Sequence, residues 1–152
     1  MRQLIIYIFL LVTLTSCATI SPICDLPSTE GKDTVKVIIY RPSAMYGLFY
    51  PTPFSINNCR IQSLRNNSFL IYELPAGNHR IAAERHAMSV GGDAVISGNF
   101  EAGKIYYLHY SMSAGSSYYA PGLGAGFTTS TQFYITTKQH ALDVMPKLES
   151  VR

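Results

Sequence analysis

From Val35 onward the chain is a succession of short β-branched and aromatic runs, each cut off by a turn signal. The runs are Val35–Arg41, Pro53–Ile56, Cys59–Leu64, Ser68–Leu74, His79–Arg85, Val95–Phe100, Ile105–Met112 and Phe127–Thr137. Between them stand Asn57-Asn58, Asn66-Asn67, Pro75-Ala76-Gly77-Asn78, Gly91-Gly92-Asp93 and Ala102-Gly103. Residues of these types suit a pleated, half-buried surface, and Asn and Gly supply the positive φ of tight turns. Strands punctuated about every 8–12 residues imply a mainly β fold, an antiparallel β-sandwich of about seven strands. No strand–helix–strand rhythm is present, which argues against a nucleotide-binding α/β fold. At 152 residues the chain is the size of one domain.

Phase sharpens the reading. Val35, Val37 and Ile39 alternate with Lys36, Ile38 and Tyr40, so both faces of the first run are largely apolar, as in a central strand covered on both sides. His79–Arg85 is expected to pair back on Ser68–Leu74 as a hairpin, and Ala102-Gly103 to close a second hairpin. Ser113–Gly126, rich in Gly, Ser and Tyr, reads as a long loop. In Phe127–Thr137, Phe127, Phe133 and Ile135 share one phase and Thr128, Ser130 and Gln132 the other, the pattern of a half-buried strand. Ala141, Val144, Met145 and Leu148 fall on one face of a short C-terminal helix, with Thr137 as its cap and Pro146 near its end.

The amino terminus reads as an address. Arg2 precedes an apolar run from Leu4 to Leu14, about 11 residues, against roughly 20 for a spanning helix. Leu14-Thr15-Ser16-Cys17 resembles the lipobox of bacterial lipoproteins. That resemblance implies cleavage after Ser16, a diacylglycerol on the Cys17 thiol, and acylation of the new amino terminus. By resemblance to diderm lipoproteins, Ala18 rather than Asp after the cysteine favours sorting to the outer membrane over retention at the inner one, and the expected location is that membrane, facing the periplasm. The expected organisation is a signal peptide at 1–16, a lipidated tether at 17–33, and the β-sandwich at 34–149. Membrane contact then runs through the lipid. The charge, 12 Lys+Arg against 9 Asp+Glu without clusters, does not mark a nucleic-acid binder. Export leaves Cys24 and Cys59 either joined in a disulfide or as two separate thiols.

Catalytic signatures are sparse. There is no G-x-S-x-G elbow, the histidines present no three-ligand spacing, and Gly122-Leu123-Gly124-Ala125-Gly126 precedes a strand rather than a phosphate-binding helix. No catalytic residue, metal site or cofactor is expected. His109 reads as a packing residue and His140 as exposed. Two aromatic segments remain as binding candidates: Tyr46, Phe49 and Tyr50 after Pro42, and Tyr118 and Tyr119 among small residues, a composition found in recognition loops. Either they lie at one end of the sandwich and form a contact site for an envelope protein, a glycan or the membrane surface, or their rings fold back over the core. The leading expectation is a non-catalytic, lipid-anchored binding or scaffolding module. The alternatives are a carbohydrate- or peptidoglycan-binding module using Tyr118 and Tyr119, and a small hydrolase assembled from Tyr, His and Glu.

An ordered set of short motifs carries a resemblance. Tyr40-Arg41-Pro42, Pro53 to Asn58, Leu64-Arg65-Asn66-Asn67-Ser68-Phe69, Leu74-Pro75-Ala76-Gly77-Asn78-His79 and Glu101-Ala102-Gly103-Lys104-Ile105-Tyr106-Tyr107 follow one another, with a terminal helix after them. Over roughly residues 34 to 149 this order resembles domain-of-unknown-function family 2846, a family of small bacterial lipoproteins. Asn57-Asn58 stands where the family has a glycine at the first turn, and the Gly/Tyr-rich insert is a second departure. The resemblance implies a β-sandwich and export, and brings no activity with it.

Overall fold

The computed structural model describes residues 24, 26–45, 47–84, 92–120 and 124–150, with the backbone alone at 116–120, 124–129, 146 and 149. Among these residues the strands are β1 (Thr34–Arg41), β2 (Phe54–Ile56), β3 (Cys59–Arg60), β4 (Ser68–Pro75), β5 (Gly77–Ala83), β6 (Ala94–Phe100), β7 (Ile105–Ala120), β8 (Gly124–Thr136) and β9 (Glu149–Ser150). They form a five-stranded sheet in the order β8-β7-β1-β4-β9 and a four-stranded sheet in the order β3-β2-β5-β6. Side chains of both sheets share one core: Val35, Val37, Ile39, Leu70, Leu74 and Leu108 from the larger, Phe54, Ile56, Ile81 and Phe100 from the smaller. The fold is mainly β and sandwich-like, with one short C-terminal helix.

β1 occupies the middle of the larger sheet, as its two apolar faces demand. Its second face, Ile38 and Tyr40, lies under helix α1 (Lys138–Val144) together with Tyr107. Ala141, Val144, Met145 and Leu148 supply the covering side chains. The Thr137 hydroxyl accepts from the His140 amide at 3.3 Å and caps the helix. The helix gives way to a 3₁₀ turn over Met145–Lys147, where Pro146 removes a backbone donor.

Four expectations are corrected. First, the glycine turns at 75–78 and 102–103 are not hairpins. β4 and β5 lie in different sheets, as do β6 and β7, so each turn carries the chain from one sheet to the other. A local turn signal specifies a reversal, and only the core decides which sheet the next strand joins. Second, β1 pairs with β7, and β4 with β9, in parallel, so the larger sheet is mixed rather than wholly antiparallel. Third, the run after Asn57-Asn58 is a strand only at Cys59–Arg60, and Leu64 then bridges to Thr52. Fourth, much of the segment read as a loop, 113–126, is paired: β7 and β8 run together to Ala120 opposite Gly124, with a register shift between Ala114 and Ser117. Gly and Ser depress strand propensity, but pairing to a neighbour overrides it.

Asn57 and Asn58 do form the two-residue hairpin expected of them, with φ of 53° and 65°, the positive pair a primed turn requires. The segment read as a tether is attached to the domain from Cys24 onward: Cys24 is bonded to Cys59, and Leu26 packs on the core.

Candidate functional site

The inward phase of β1 runs Val35, Val37, Ile39 and then Arg41, which is fully buried. A guanidinium there is costly unless its donors are used. Arg41 Nη1 donates to the Tyr50 carbonyl at 3.1 Å and to Thr52 Oγ1 at 3.3 Å. Nη2 donates to the Gly47 carbonyl at 2.7 Å and approaches Met112 Sδ at 3.9 Å. The group also lies 5.8 Å from the Tyr110 ring centroid, and the Thr52 hydroxyl donates to the Tyr110 hydroxyl at 3.3 Å. Burial lowers the Arg41 pKa, opposed by Tyr110, yet a guanidinium stays charged at any physiological pH. Burial likewise raises the Tyr110 pKa, against the Thr52 hydrogen bond and the Arg41 charge.

These bonds shape the loop that follows Pro42. Gly47 has φ of 71°, and a Cβ there would sit 2.6 Å from Arg41 Nη2 and 3.0 Å from Met112 Sδ. The Tyr50 amide donates to the Gly47 carbonyl at 3.2 Å, closing a turn, and the Ala44 amide donates to Asn66 Oδ1 at 3.0 Å. With its backbone drawn inward, the loop turns its side chains out. Met45 is 92% exposed, Phe49 83%, Tyr50 51% and Leu48 48%. Phe49 and Tyr50 thus do not fold back over the core.

The other candidates fall as follows. Tyr46 and Cys17 lie outside the described residues, as do the leader and His86. Tyr118 and Tyr119 stand in the distal part of β7, opposite Gly126 and Ala125. β7 carries Met112 past Arg41 on its way outward, so the 45–50 loop and the β7–β8 arm leave the sandwich at the same end. Cys24 and Cys59 form a disulfide with Cα atoms 5.5 Å apart.

His79 and His109 pack. His79 Nε2 lies 2.6 Å from the Pro75 carbonyl and Nδ1 2.9 Å from Asn57 Nδ2, which suits one neutral tautomer, donating at Nε2 and accepting at Nδ1. Its ring meets Phe100 edge-on at 5.8 Å. His109 is buried against Tyr40, Tyr134 and His140 at centroid distances of 5.2, 4.9 and 5.8 Å. Burial pushes its pKa down, and His140 adds to the shift. Among the described residues no group of three or more His, Cys, Asp or Glu side chains converges on a metal-sized site.

The Tyr40-Arg41-Pro42 step marks Arg41 only as part of a strand end, and its role as the anchor of the 45–52 segment comes from the fold. Its signal is nonetheless in the chain: a charged residue on the phase of Val35, Val37 and Ile39 is directed at the core, where its donors need partners. No curated protein and no solved structure matches the chain. The family model described as "Protein of unknown function (DUF2846)" matches residues 31–123, a stretch that holds β1 with Arg41, the apolar loop and both cross-sheet turns. With more than half of its length under that match, the chain belongs to the DUF2846 family.

Proposed function

We propose that this protein is a lipid-anchored envelope lipoprotein whose sandwich is a non-catalytic binding or scaffolding module, with the apolar loop at 45–50 as its contact surface. The observation that carries this reading is the combination at Arg41: a buried guanidinium holds the loop backbone from below while Met45, Leu48, Phe49 and Tyr50 stand exposed above it. Clustered exposed apolar side chains mark interaction sites, and a loop ordered before contact loses less entropy on binding. The lipobox at Leu14–Cys17 and the export it implies support the location, the outer membrane on its periplasmic side.

A photo-crosslinking amino acid at position 49 tests the contact. It is expected to capture an envelope component in living cells, whereas the same group at Glu73, on the outer face of β4, captures none; equal yields at both positions reject the assignment. Palmitate labelling of the parent chain against Cys17→Ser tests the anchor, with loss of label expected. A second reading, glycan stacking at Tyr118 and Tyr119, is favoured by one feature. The residues opposite them are Gly126 and Ala125, which carry little or no side chain. Retention on cell-wall fragments should then fall in a Tyr118→Ala/Tyr119→Ala variant.

A further inference from the structure

Among the described residues β8 is the end strand of the larger sheet and runs for 13 residues, Gly124–Thr136. It contains no Lys, Arg, Asp, Glu or Pro, so it lacks the side chains with which proteins blunt an exposed edge. The opposite ends of the two sheets are handled differently: β3 and β9 are two residues each. β7 pairs with β1 only through His109, and beyond that point β7 and β8 have only each other as strand partners among the described residues. A two-stranded ribbon in water is marginal by itself, and a third strand is what stabilises one.

The sequence of the edge says which strand fits. Residues 127–133 read Phe-Thr-Thr-Ser-Thr-Gln-Phe, close to a palindrome about Ser130, which is also the midpoint of β8. An antiparallel copy related by a two-fold axis at Ser130 places Thr129 opposite Thr131 and Phe127 opposite Phe133. It also places Tyr134 opposite Gly126, and every residue of the strand has a partner. Hydroxyl and aromatic cross-strand pairs are stabilising, and an aromatic facing a glycine is a recurrent pairing. A strand without charge meets no repulsion from its own copy. A two-fold contact of this kind uses the same patch twice and closes on itself.

We infer that the occupant of this edge is a second copy of this chain, joined β8 to β8 in antiparallel register about Ser130. The juxtaposition does not depend on the anchor or on the 45–50 loop, so it stands or falls separately from them.

The test uses the full chain expressed in cells and a short bis-maleimide. The parent chain, which keeps Cys17, Cys24 and Cys59, is the blank. Ser130→Cys is expected to give a covalent homodimer above that blank. Thr128→Cys alone gives none, since its counterpart in the partner copy is residue 132, while Thr128→Cys co-expressed with Gln132→Cys gives the dimer again. Absence of a Ser130→Cys homodimer, or equal dimer from Ser130→Cys and Thr128→Cys alone, overturns the register. Adducts of Ser130→Cys to a different protein only show that another polypeptide takes the edge and overturn the choice of occupant. Charge reversal supplies the second measurement. Ser130→Lys and Ser130→Glu should each cut co-capture of two differently tagged copies about tenfold, and the mixed pair should restore it. Unchanged co-capture in the single variants places the contact elsewhere and sinks the proposal. Formation of the Cys24–Cys59 bond reports that each variant folds.

Discussion

The two ends of the sandwich are closed in opposite ways. At the end where β1 begins, closure is by backbone. The Ala76 amide donates to the Asp33 carbonyl and the Gly103 amide to the Thr34 carbonyl, both at 2.8 Å, so the two cross-sheet turns are tied to the chain entering β1. His79 then joins the turn after β4 to the β2–β3 hairpin through Pro75 and Asn57. At the other end one side chain does most of the work: Arg41 collects two carbonyls and a hydroxyl from the 45–52 segment. The first arrangement depends on chain path and turn geometry. The second places the loop backbone from beneath and turns Met45, Leu48 and Phe49 outward. A loop held in this way can change its exposed side chains at little structural cost.

Breaking the first end should have the largest effect. The Cys24–Cys59 bond spans 35 residues, and on the chain-entropy account Cys59→Ser should cost about 3–4 kcal/mol, read as a fall in denaturation midpoint. Arg41→Met removes the donors to two backbone carbonyls and should cost about 2–3 kcal/mol. It should also speed hydrogen exchange in the 45–52 segment while leaving the 75–79 turn protected, and equal loosening at both ends would erase the contrast. Gly47→Ala meets both a positive φ and the Arg41 guanidinium, so about 1–2 kcal/mol is expected, again local to the loop.

A smaller effect comes from His109, under the helix. Burial lowers its pKa in the fold, so the unfolded chain binds the proton more tightly. Its contribution to stability is complete above the unfolded value of about 6.5 and is lost as pH falls through the lower folded value. In His109→Gln that part of the acid limb of a stability–pH curve should disappear. Smallest of all is Phe49→Ala, which should leave stability within about 0.5 kcal/mol, because the ring is 83% exposed, while abolishing capture by the same photo-crosslinking group moved to position 48.

Where a feature was legible in the chain, its cause is local. The primed turn at Asn57-Asn58, the Thr137 cap, the helix stop at Pro146 and the two apolar faces of β1 each follow from residues within a few positions of one another. The apolar stripe of α1 was legible for the same reason, since its period fits one surface and no other. The candidate site was half legible. Phe49 and Tyr50 stood out as aromatic residues in a turn-rich segment, whereas the reason they face outward lies in Arg41, on the preceding strand, and in Met112, on a strand far along the chain.

Local residue patterns are enough to specify a strand-built domain, the places where its turns fall, the cap of its helix and the near-palindrome of its last long strand. Packing across the sandwich, not local pattern, makes the turns at 75–78 and 102–103 change sheets, sets β1 and β7 in parallel, and pairs the Gly- and Ser-rich residues beyond Met112 as strands. The difference lies in the range of the forces. A turn preference is settled by φ and sterics within four residues, but the neighbour a strand selects depends on apolar area shared between segments distant in the chain, and no local pattern encodes that choice.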